Sequence, residues 1–385
     1  MEPANFQETA QHQVWLDAMV EEYNSIMIND VREVVPRPQD RSMVGSRWIY
    51  KIKYAVDASV EKYKARFVAK GCAQKEGIDY EETFAPVAKY TSIRTVISLA
   101  AQIGWEIHQM DVKTEFLSGV IEEEVYIEQP EGSETHEKKS HVCRLKKALH
   151  GLKQAPRAWY GRINGYLQKM GFVKSDADPN LYYLVVENEP LILVLYVDDL
   201  FLTGSSRLIG DCKKNLAMKF DMKDLGRMHY FLGLEVWQQE GEIFLGQGRY
   251  ATKMLKRFRM EDCRPMATPM ITNRKKIDAS KDKDVDPTLY RKLIGSLMYL
   301  VNTKPDICYI VNTLSQFLVE TKRAHWATTK HVLIYLQGTV DYGLLYTRSK
   351  DIKLSGFTDA DWVGSSMDRK STFGYCFNIG SGMTS

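Results

Sequence analysis

The chain has 385 residues, of which 44% are hydrophobic and 26% are charged, and its formal net charge is +3. This composition is ordinary for a folded protein and predicts roughly two to three domains. A net charge this small does not by itself indicate a nucleic-acid partner, so such a partner can be inferred only from local basic patches. The six cysteines are scattered without a CxxC pair, which argues against a zinc site or a disulfide framework and predicts a reducing compartment. No run of about 18 apolar residues appears, so we expect neither a signal peptide nor a membrane span.

The first part of the chain predicts a helix followed by a basic hairpin. Apolar residues at helical spacing predict a helix over residues 11–29, and the proline-rich segment at 35–38 predicts a loop. Alternation of apolar and polar residues over 47–69 predicts two paired strands. The exposed positions of this hairpin include Lys64 and Arg66, which could bind phosphates or could simply face water.

A helix and a strand then lead to an acidic residue. Residues 91–103 have apolar residues at helical spacing and are followed by Gly104, which ends the helix. The next segment, 105–112, predicts a strand that carries Asp111 near its end. A single aspartate in such a place is more often a cap or turn residue than a functional one, so its interest depends on a second acidic site.

A basic segment at 144–159 separates Asp111 from that second site. Cationic side chains alternate there with apolar and aromatic ones, and Pro156 suits the first turn of a helix that continues to about Met170. A basic loop before a helix N-terminus could bind phosphate or a template strand. The alternative is an ordinary solvated loop.

The second acidic site is the stretch 191–202, where an apolar run is interrupted only by Asp198 and Asp199. The short apolar run indicates a buried strand, and a tight turn in its middle would make it a hairpin with both acids at the bend. Unpaired carboxylates in such a place cost several kcal/mol, roughly, unless a cation offsets them, which favours a metal site. The alternative is an Asp-Asp turn with both side chains in water.

The second half predicts mainly helices. Periodicity predicts helices at five further segments, of which the second is basic and amphipathic: 206–220, 248–259, 288–302, 306–318 and 323–337. Residues 271–287 are charged and poor in apolar residues, which indicates an exposed linker.

Several motifs, taken together and in this order, resemble copia-type retrotransposon reverse transcriptases. The three palm motifs of that family are similar to QMDVKT at 109–114, KALHGLKQAPRAW at 147–159 and YVDD at 196–199. KARFVAKG at 64–71 is similar to its fingers motif, and YFLGLEV at 230–236 to its primer-grip hairpin. The resemblance covers nearly the whole chain and identifies it as the reverse transcriptase segment of a longer Pol polyprotein.

The resemblance implies an α+β right-hand polymerase with fingers, palm and thumb, a connection region and an incomplete RNase H-like piece. We place the fingers, palm and thumb at 1–260, a linker at 261–287, a helical connection at 288–340 and the start of the RNase H-like domain at 341–385. The basic helix at 248–259 would then belong to the thumb and contact the primer-template backbone.

The resemblance also implies two-metal nucleotidyl transfer from a dNTP to a primer 3′-hydroxyl, directed by an RNA template. Asp111, Asp198 and Asp199 would be the catalytic and metal-binding residues, with two Mg²⁺ ions that Mn²⁺ could replace. Asp111 and Asp198 would bridge the metals, and Asp199 would have a smaller direct part.

The remaining roles that the resemblance implies concern the nucleotide and the primer. Nucleotide binding would involve seven residues: Lys64, Arg66, Val112, Lys113, Phe116, His150 and Lys153. Phe116 would stack under the ribose and exclude a 2′-hydroxyl, and Leu232 and Gly233 would form the primer grip. Glu115 departs from the small residue usual at that place, and a carboxylate near a triphosphate would be repulsive by about 1–4 kcal/mol.

Asp359 would be the first acid of an RNase H site whose other acids are not found in the chain, so we expect no RNase H activity and a frayed or poorly packed tail. The expected partners are an RNA template, a primer-template duplex of DNA or RNA, dNTPs and the rest of a Pol polyprotein, with no membrane. The expected location is intracellular, in a cytoplasmic virus-like particle or the nucleus. Two alternatives are a catalytically silent relic that retains only nucleic-acid binding, which Glu115 favours, and a different palm-type nucleotidyl transferase.

Overall fold

The structure is a computed structural model that describes residues 2–54, 59–85, 87–135, 140–270, 283–349, 352–361 and 371–385. Its helices, in chain order, are α1 (Phe6–Thr9), α2 (Gln13–Ile28), α3 (Tyr90–Ile103), α4 (Glu115–Ser118), α5 (Ala155–Lys169), α6 (Ser206–Lys219), α7 (Gly248–Arg257), α8 (Pro287–Leu300), α9 (Cys308–Ser315) and α10 (Arg323–Gln337). Short 3₁₀ turns lie at Gly71–Ala73 and Pro305–Ile307. None of the helices in these ranges is long and apolar enough to cross a membrane.

The strands, in chain order, are β1 (Arg32–Pro36), β2 (Ser46–Tyr54), β3 (Val60–Ala69), β4 (Ile107–Val112), β5 (Tyr126–Ile127), β6 (His141–Leu145), β7 (Val173–Lys174), β8 (Leu181–Val186), β9 (Glu189–Tyr196), β10 (Asp199–Gly204), β11 (Met222–Arg227), β12 (Tyr230–Phe231), β13 (Leu234–Gln239), β14 (Glu242–Gly246), β15 (Gly343–Thr347), β16 (Leu354–Asp361), β17 (Thr372–Ile379) and β18 (Gly382–Met383). A six-stranded sheet has the order β11-β4-β10-β9-β8-β7. Strand β4 therefore lies beside β10, although a long stretch of chain separates them. This mixture of helices and antiparallel strands is an α+β fold.

The chain divides into two compact units that interleave along the sequence. The first comprises Met1–Ala88, Met110–Phe201 and Arg207–Leu225. The second comprises Lys89–Gln109, Leu202–Ser206 and Gly226–Ser385.

In the first unit, the basic hairpin β2–β3 packs on α2. Trp15 of α2 contacts Tyr50 and Tyr63 edge to face, with ring centroids 5.6 and 4.9 Å apart. A second core cluster lies around the sheet β1-β6-β5 and includes the start of α5. Residues 191–195 of β9 form an almost continuous buried apolar run, as expected of a strand inside a sheet.

In the second unit, helices α7 to α10 share one apolar core. The sheet β12-β13-β14-β15 joins distant parts of the sequence, because Glu242 of β14 pairs with Thr347 of β15. Strands β16, β17 and β18 form a further sheet near the C-terminal end of the described chain.

One expectation about local structure is wrong, and a second holds only in part. Residues 35–36 do not begin a loop, because they form the end of β1, which pairs antiparallel with β6. Proline is tolerated there since it occupies the end of a strand. The tail is also less frayed than expected, because the Ser98 hydroxyl donates to the Ile379 carbonyl at 2.8 Å and Thr384 is buried.

The other face of the tail agrees better with the expectation that it cannot bury a core. Three aromatic side chains of β17 that alternate along the strand are exposed: Phe373, Tyr375 and Phe377. The predicted linker at 271–287 lies mostly outside the described residues, since only 283–286 and the first residue of α8 belong to them.

Candidate active site

A strained turn carries the two adjacent acids. Strands β9 and β10 are joined at Val197 and Asp198, and Val197 has a φ of 53°. A β-branched residue in the left-handed region is unfavourable by about 1–2 kcal/mol and has to be held by its surroundings. The fully buried Trp159 supplies that constraint, because its indole Nε1 donates a hydrogen bond to the Val197 carbonyl at 2.7 Å. Helix α5 thus determines the shape of the turn.

Asp111 and Asp198 are brought together by the strand order. The backbone N–H of Val112 donates to the carbonyl of Asp198 at 2.9 Å, so the end of β4 lies against the turn. Burial raises the pKa of the Asp111 carboxyl, and the charge of Asp198 raises it further. Asp199, the first residue of β10, follows Asp198 in sequence and is half-buried. Two carboxylates that repel each other in a partly buried place are the arrangement that a cation would stabilise.

The acids fit a weakly pre-organised magnesium site better than a closed protein cage. Within the described ranges, no group of three or more His, Cys, Asp or Glu side chains is arranged to hold a metal ion. Mg²⁺ usually keeps several waters and takes one or two carboxylates together with substrate phosphates. A pair of neighbouring carboxylates therefore fits the donor set that this ion uses in nucleotide chemistry.

The predicted phosphate-binding cations differ in their environments. Arg66 is held by Glu22 of α2, whose Oε2 lies 2.7 Å from Nη1 and whose side chain is only 3% exposed. Lys64 makes no ion pair within the described residues, and burial lowers its pKa, as do the charges of Arg66 and Lys53. A half-buried ammonium without a carboxylate partner is the better candidate for an anionic ligand. Sequence reasoning missed Glu22, although a charged residue on the apolar face of a helix was the signal for it.

Glu115 points into the protein rather than into solvent. Its side chain is 9% exposed, and Oε1 lies 3.9 Å from Nε2 of His150. Burial raises the pKa of Glu115 to about 7, and the charge of Asp198 also raises it. Burial lowers the pKa of His150 to about 3, so the imidazole is already neutral at the pH where the Glu115 carboxyl ionises, and the two groups do not form an ion pair although the distance would allow one. Phe116 packs against the same imidazole edge to face, with ring centroids 5.1 Å apart.

The other predicted nucleotide-binding residues are already engaged. The Lys113 ammonium lies 2.8 Å from Asp221, and Val112 is buried in the core. The Lys153 ammonium donates to the hydroxyl of Tyr80 at 3.0 Å and lies over its ring. The structure thus brings Phe116 and His150 together and gives Lys113 and Lys153 partners within the chain.

The predicted primer grip and RNase H residues lie in the second unit. Leu232 and Gly233 connect β12 and β13 with φ values of 50° and 79°. Asp359 is exposed on β16, opposite Gly374 of β17. The basic helix α7 packs one face into the helical core and exposes the cations Lys253, Lys256 and Arg257.

The comparisons with known proteins give the family. Residues 29–272 match the family described as Reverse transcriptase (RNA-dependent DNA polymerase). The chain is 42% identical over 95% of its length to the retrovirus-related Pol polyprotein from transposon RE2 of Arabidopsis thaliana, and 40% identical over its full length to that from transposon TNT 1-94 of Nicotiana tabacum. It spans only 25% and 30% of those relatives. Its fold is also similar to that of a foamy viral protease-reverse transcriptase in complex with double-stranded DNA, with a TM-score of 0.46 and 11% identity over 96% of this chain and 54% of the other.

The family match covers more than half of the chain, including the turn with its two acids, the neighbouring strand with Asp111 and the basic segment before α5. The long matches to plant Pol polyproteins extend over almost all of the remainder. The chain therefore belongs to the reverse transcriptase (RNA-dependent DNA polymerase) family, as a copia-type segment of a retrotransposon Pol polyprotein.

Proposed function

We propose that this chain catalyses RNA-directed DNA synthesis by transfer of a nucleotide from a dNTP to a primer 3′-hydroxyl. The observation that carries the proposal is the position of Asp111 beside the Asp198 turn, with its carboxyl pKa raised by burial and by Asp198. Family membership supports the reaction class, and this pair of carboxylates supports the site that we assign to it.

In the proposed reaction, the primer 3′-oxygen forms a bond to the α-phosphorus of the dNTP while the bond to pyrophosphate breaks. Asp111 and Asp198 would hold two divalent cations, with Asp199 in a smaller part. Such cations, when bound, lower the pKa of the attacking hydroxyl and offset charge on the leaving pyrophosphate. The residues of this chain would otherwise act by positioning the primer end and the dNTP relative to each other.

Three residues are assigned to the nucleotide. Lys64 would bind the triphosphate, since it is a partly desolvated ammonium without a carboxylate partner in the described chain. Phe116 would lie under the ribose and exclude a 2′-hydroxyl, and the neutral His150 would hold the Phe116 ring by its edge-to-face contact. Arg66 would act indirectly, because Glu22 already neutralises it.

The proposed partners follow from this chemistry. The template would be RNA or DNA paired to a primer, and the exposed cations of α7 would contact phosphates in a salt-sensitive, sequence-independent way. The remainder of a Pol polyprotein would be covalently continuous with the chain, as in the relatives whose names describe such polyproteins. We place the reaction inside the cell, in a virus-like particle or the nucleus.

Primer extension tests the proposal. The purified chain, given a DNA primer on an RNA template with dNTPs and Mg²⁺, should lengthen the primer, and Mn²⁺ should partly replace Mg²⁺. Asp111→Asn and Asp198→Asn should each lower the rate by at least about 100-fold. Neither should lower the unfolding temperature, because each removes charge repulsion rather than a favourable contact.

Asp176→Asn is the matched control, because Asp176 is an exposed aspartate of the same unit. It should extend primers at the wild-type rate. Extension that survives in Asp111→Asn would contradict the proposal. Tight primer-template binding without any extension by the wild type would also contradict it, and recovery of extension in Glu115→Ala would then identify the carboxylate that silences the site.

A further inference from the structure

The turn between β12 and β13 has a conformation that its own sequence does not favour. Both of its central residues have positive φ, which is a type I′ hairpin turn, and the first of them is Leu232 rather than asparagine or glycine. A leucine in the left-handed region has to be held there by its surroundings. The contacts that hold it therefore determine the shape of this turn.

Two tyrosine hydroxyls converge on the turn. The hydroxyl of Tyr299 donates to the Leu232 carbonyl at 2.6 Å, and the hydroxyl of Tyr90 donates to the same oxygen at 3.4 Å. Tyr299 makes the closer contact by far. Its ring is packed in turn against Tyr250 of α7, edge to face, with centroids 4.6 Å apart.

Gly233 is needed for the Tyr299 hydroxyl to reach the carbonyl. A Cβ atom on residue 233 would lie 1.8 Å from Oη of Tyr299, which no packing tolerates. The turn and the hydroxyl therefore fit each other directly, with no space for a side chain between them.

Helix α8 presents this hydroxyl from a rigid position. Three leucines of this helix pack into the core that α7 to α10 share, and Leu293, Leu297 and Leu300 are all fully buried. A side chain on such a helix has little freedom to follow a moving loop. The Tyr299 hydroxyl is therefore well placed to keep the turn between β12 and β13 in one conformation.

We propose that Tyr299 is a positioning residue for the primer terminus, acting through the Leu232–Gly233 turn. The inference rests on the proposed function, because it takes this turn to be the one that holds the primer. It assigns a part in DNA synthesis to helix α8, which lies beyond the polymerase motifs at 64–236.

The test compares Tyr299→Phe with Tyr290→Phe in the full chain. Tyr290 lies on the same helix and donates its hydroxyl to the Leu314 carbonyl at 2.8 Å, away from the turn, so it is a matched control. With a trap that captures released enzyme, Tyr299→Phe should add about 3- to 10-fold fewer nucleotides per binding event. Its KM for dNTP should stay within about twofold of wild type, and Tyr290→Phe should match wild type in both quantities.

A double-mutant cycle with Gly233→Ala sharpens the test. Gly233→Ala alone should shorten the products at least as much as Tyr299→Phe, because the new Cβ displaces the hydroxyl. Combined with Tyr299→Phe, it should add less than its single effect, since the two changes share the lost hydroxyl contact and only the strain of alanine at a φ of 79° is separate. Independent effects, or a Tyr299→Phe variant that behaves like Tyr290→Phe, would overturn the inference.

Failure of the inference and failure of the proposed function are distinguishable. If the wild type extends primers and Tyr299→Phe does so with equal processivity, only the part assigned to Tyr299 is wrong. If the wild type does not extend primers at all, the proposed function fails and the inference fails with it.

Discussion

The two turns that matter for the proposed reaction are built in the same way from different parts. In each, a bulky non-glycine residue has positive φ, and an aromatic side chain on a helix donates a hydrogen bond to its carbonyl. At Val197 the donor is the indole of Trp159 on α5, and at Leu232 it is the hydroxyl of Tyr299 on α8. Strained conformations of this kind persist only where the surroundings determine them.

The two turns differ in the residue that comes directly after the strained one. Asp198 comes after Val197, so the first turn presents a carboxylate near Asp111. Gly233 comes after Leu232, so the second turn presents only backbone. The first turn would supply the chemistry, and the second would supply a fixed shape for a substrate strand. A left-handed residue held by an aromatic hydrogen-bond donor can thus present either a reactive side chain or a fixed stretch of backbone.

Among the changes that test this comparison, the largest effect is expected from removing the hydrogen bond that tethers the first turn to Trp159. Trp159→Phe keeps the ring contact with Phe220 but leaves the Val197 carbonyl without its donor. The free energy of unfolding should fall by about 2–3 kcal/mol, and primer extension by about 10-fold or more. Urea unfolding and extension rates measured on the same samples check both.

The control for that change is Tyr160→Phe, which removes a hydrogen bond of 2.7 Å from the same helix to the Pro179 carbonyl. It should cost about 1 kcal/mol of stability with little change in rate. If the two variants lose activity equally, the hydrogen bond from Trp159 to Val197 does not act through the acidic turn. The proposed likeness between the two turns would then be wrong.

A second prediction uses the different titration behaviour of the groups beside the two turns. Burial raises the pKa of Glu115 from 4.5 to about 7, so the fold favours its neutral form. The associated stability is present below about pH 4.5 and is lost as the pH rises through about 7. Glu115→Gln, which stays neutral, should raise the free energy of unfolding by about 2–3 kcal/mol more at pH 8 than at pH 5.

Glu122→Gln is the control, since Glu122 is an exposed glutamate of the same unit. At the second turn, the stability difference between Tyr299→Phe and wild type should not change between pH 5 and pH 9. Burial raises the pKa of Tyr299, which is already above that range. A pH-independent difference between Glu115→Gln and wild type would contradict the buried position of this carboxyl.

The smallest effect is expected from relieving the strain itself. Val197→Gly removes the unfavourable left-handed valine but gives the unfolded chain more freedom, and these contributions are similar in size. The free energy of unfolding should change by less than about 1 kcal/mol, and extension should stay within about threefold while Trp159 still holds the carbonyl. A large gain in stability would show that the tether does not offset the strain.

Much of the local structure could be predicted from the sequence. The helix expected at 91–103 is observed at Tyr90–Ile103, with Gly104 left-handed at its end. The hairpin that carries Asp198 and Asp199 is present, and the copia-type family assignment is confirmed by the family match and the plant relatives. Long periodic segments and ordered motifs carry this information directly.

The features that could not be predicted depend on contacts between distant segments. The pairing of β14 with β15 joins residues about a hundred positions apart and leaves no local pattern. Strand β1 escapes prediction because its proline suggests a loop, whereas pairing with β6 decides its conformation. The direction of the Glu115 side chain is equally invisible in the sequence, since it depends on neighbours such as His150 that lie far away along the chain. The metal-binding and nucleotide-binding roles stay predictions.

Two glycines determine how closely the end of β3 approaches the loop that carries His150. A Cβ on Gly71 would lie 2.0 Å from the Gly151 carbonyl oxygen, and one on Gly151 would lie 2.2 Å from that of Ala69. The Ala69 N–H donates to the His150 carbonyl at 2.8 Å across the same gap. Main-chain atoms of the two segments meet here with no room for a side chain between them, so a single methyl group at either glycine would push the strand end and the His150 loop apart.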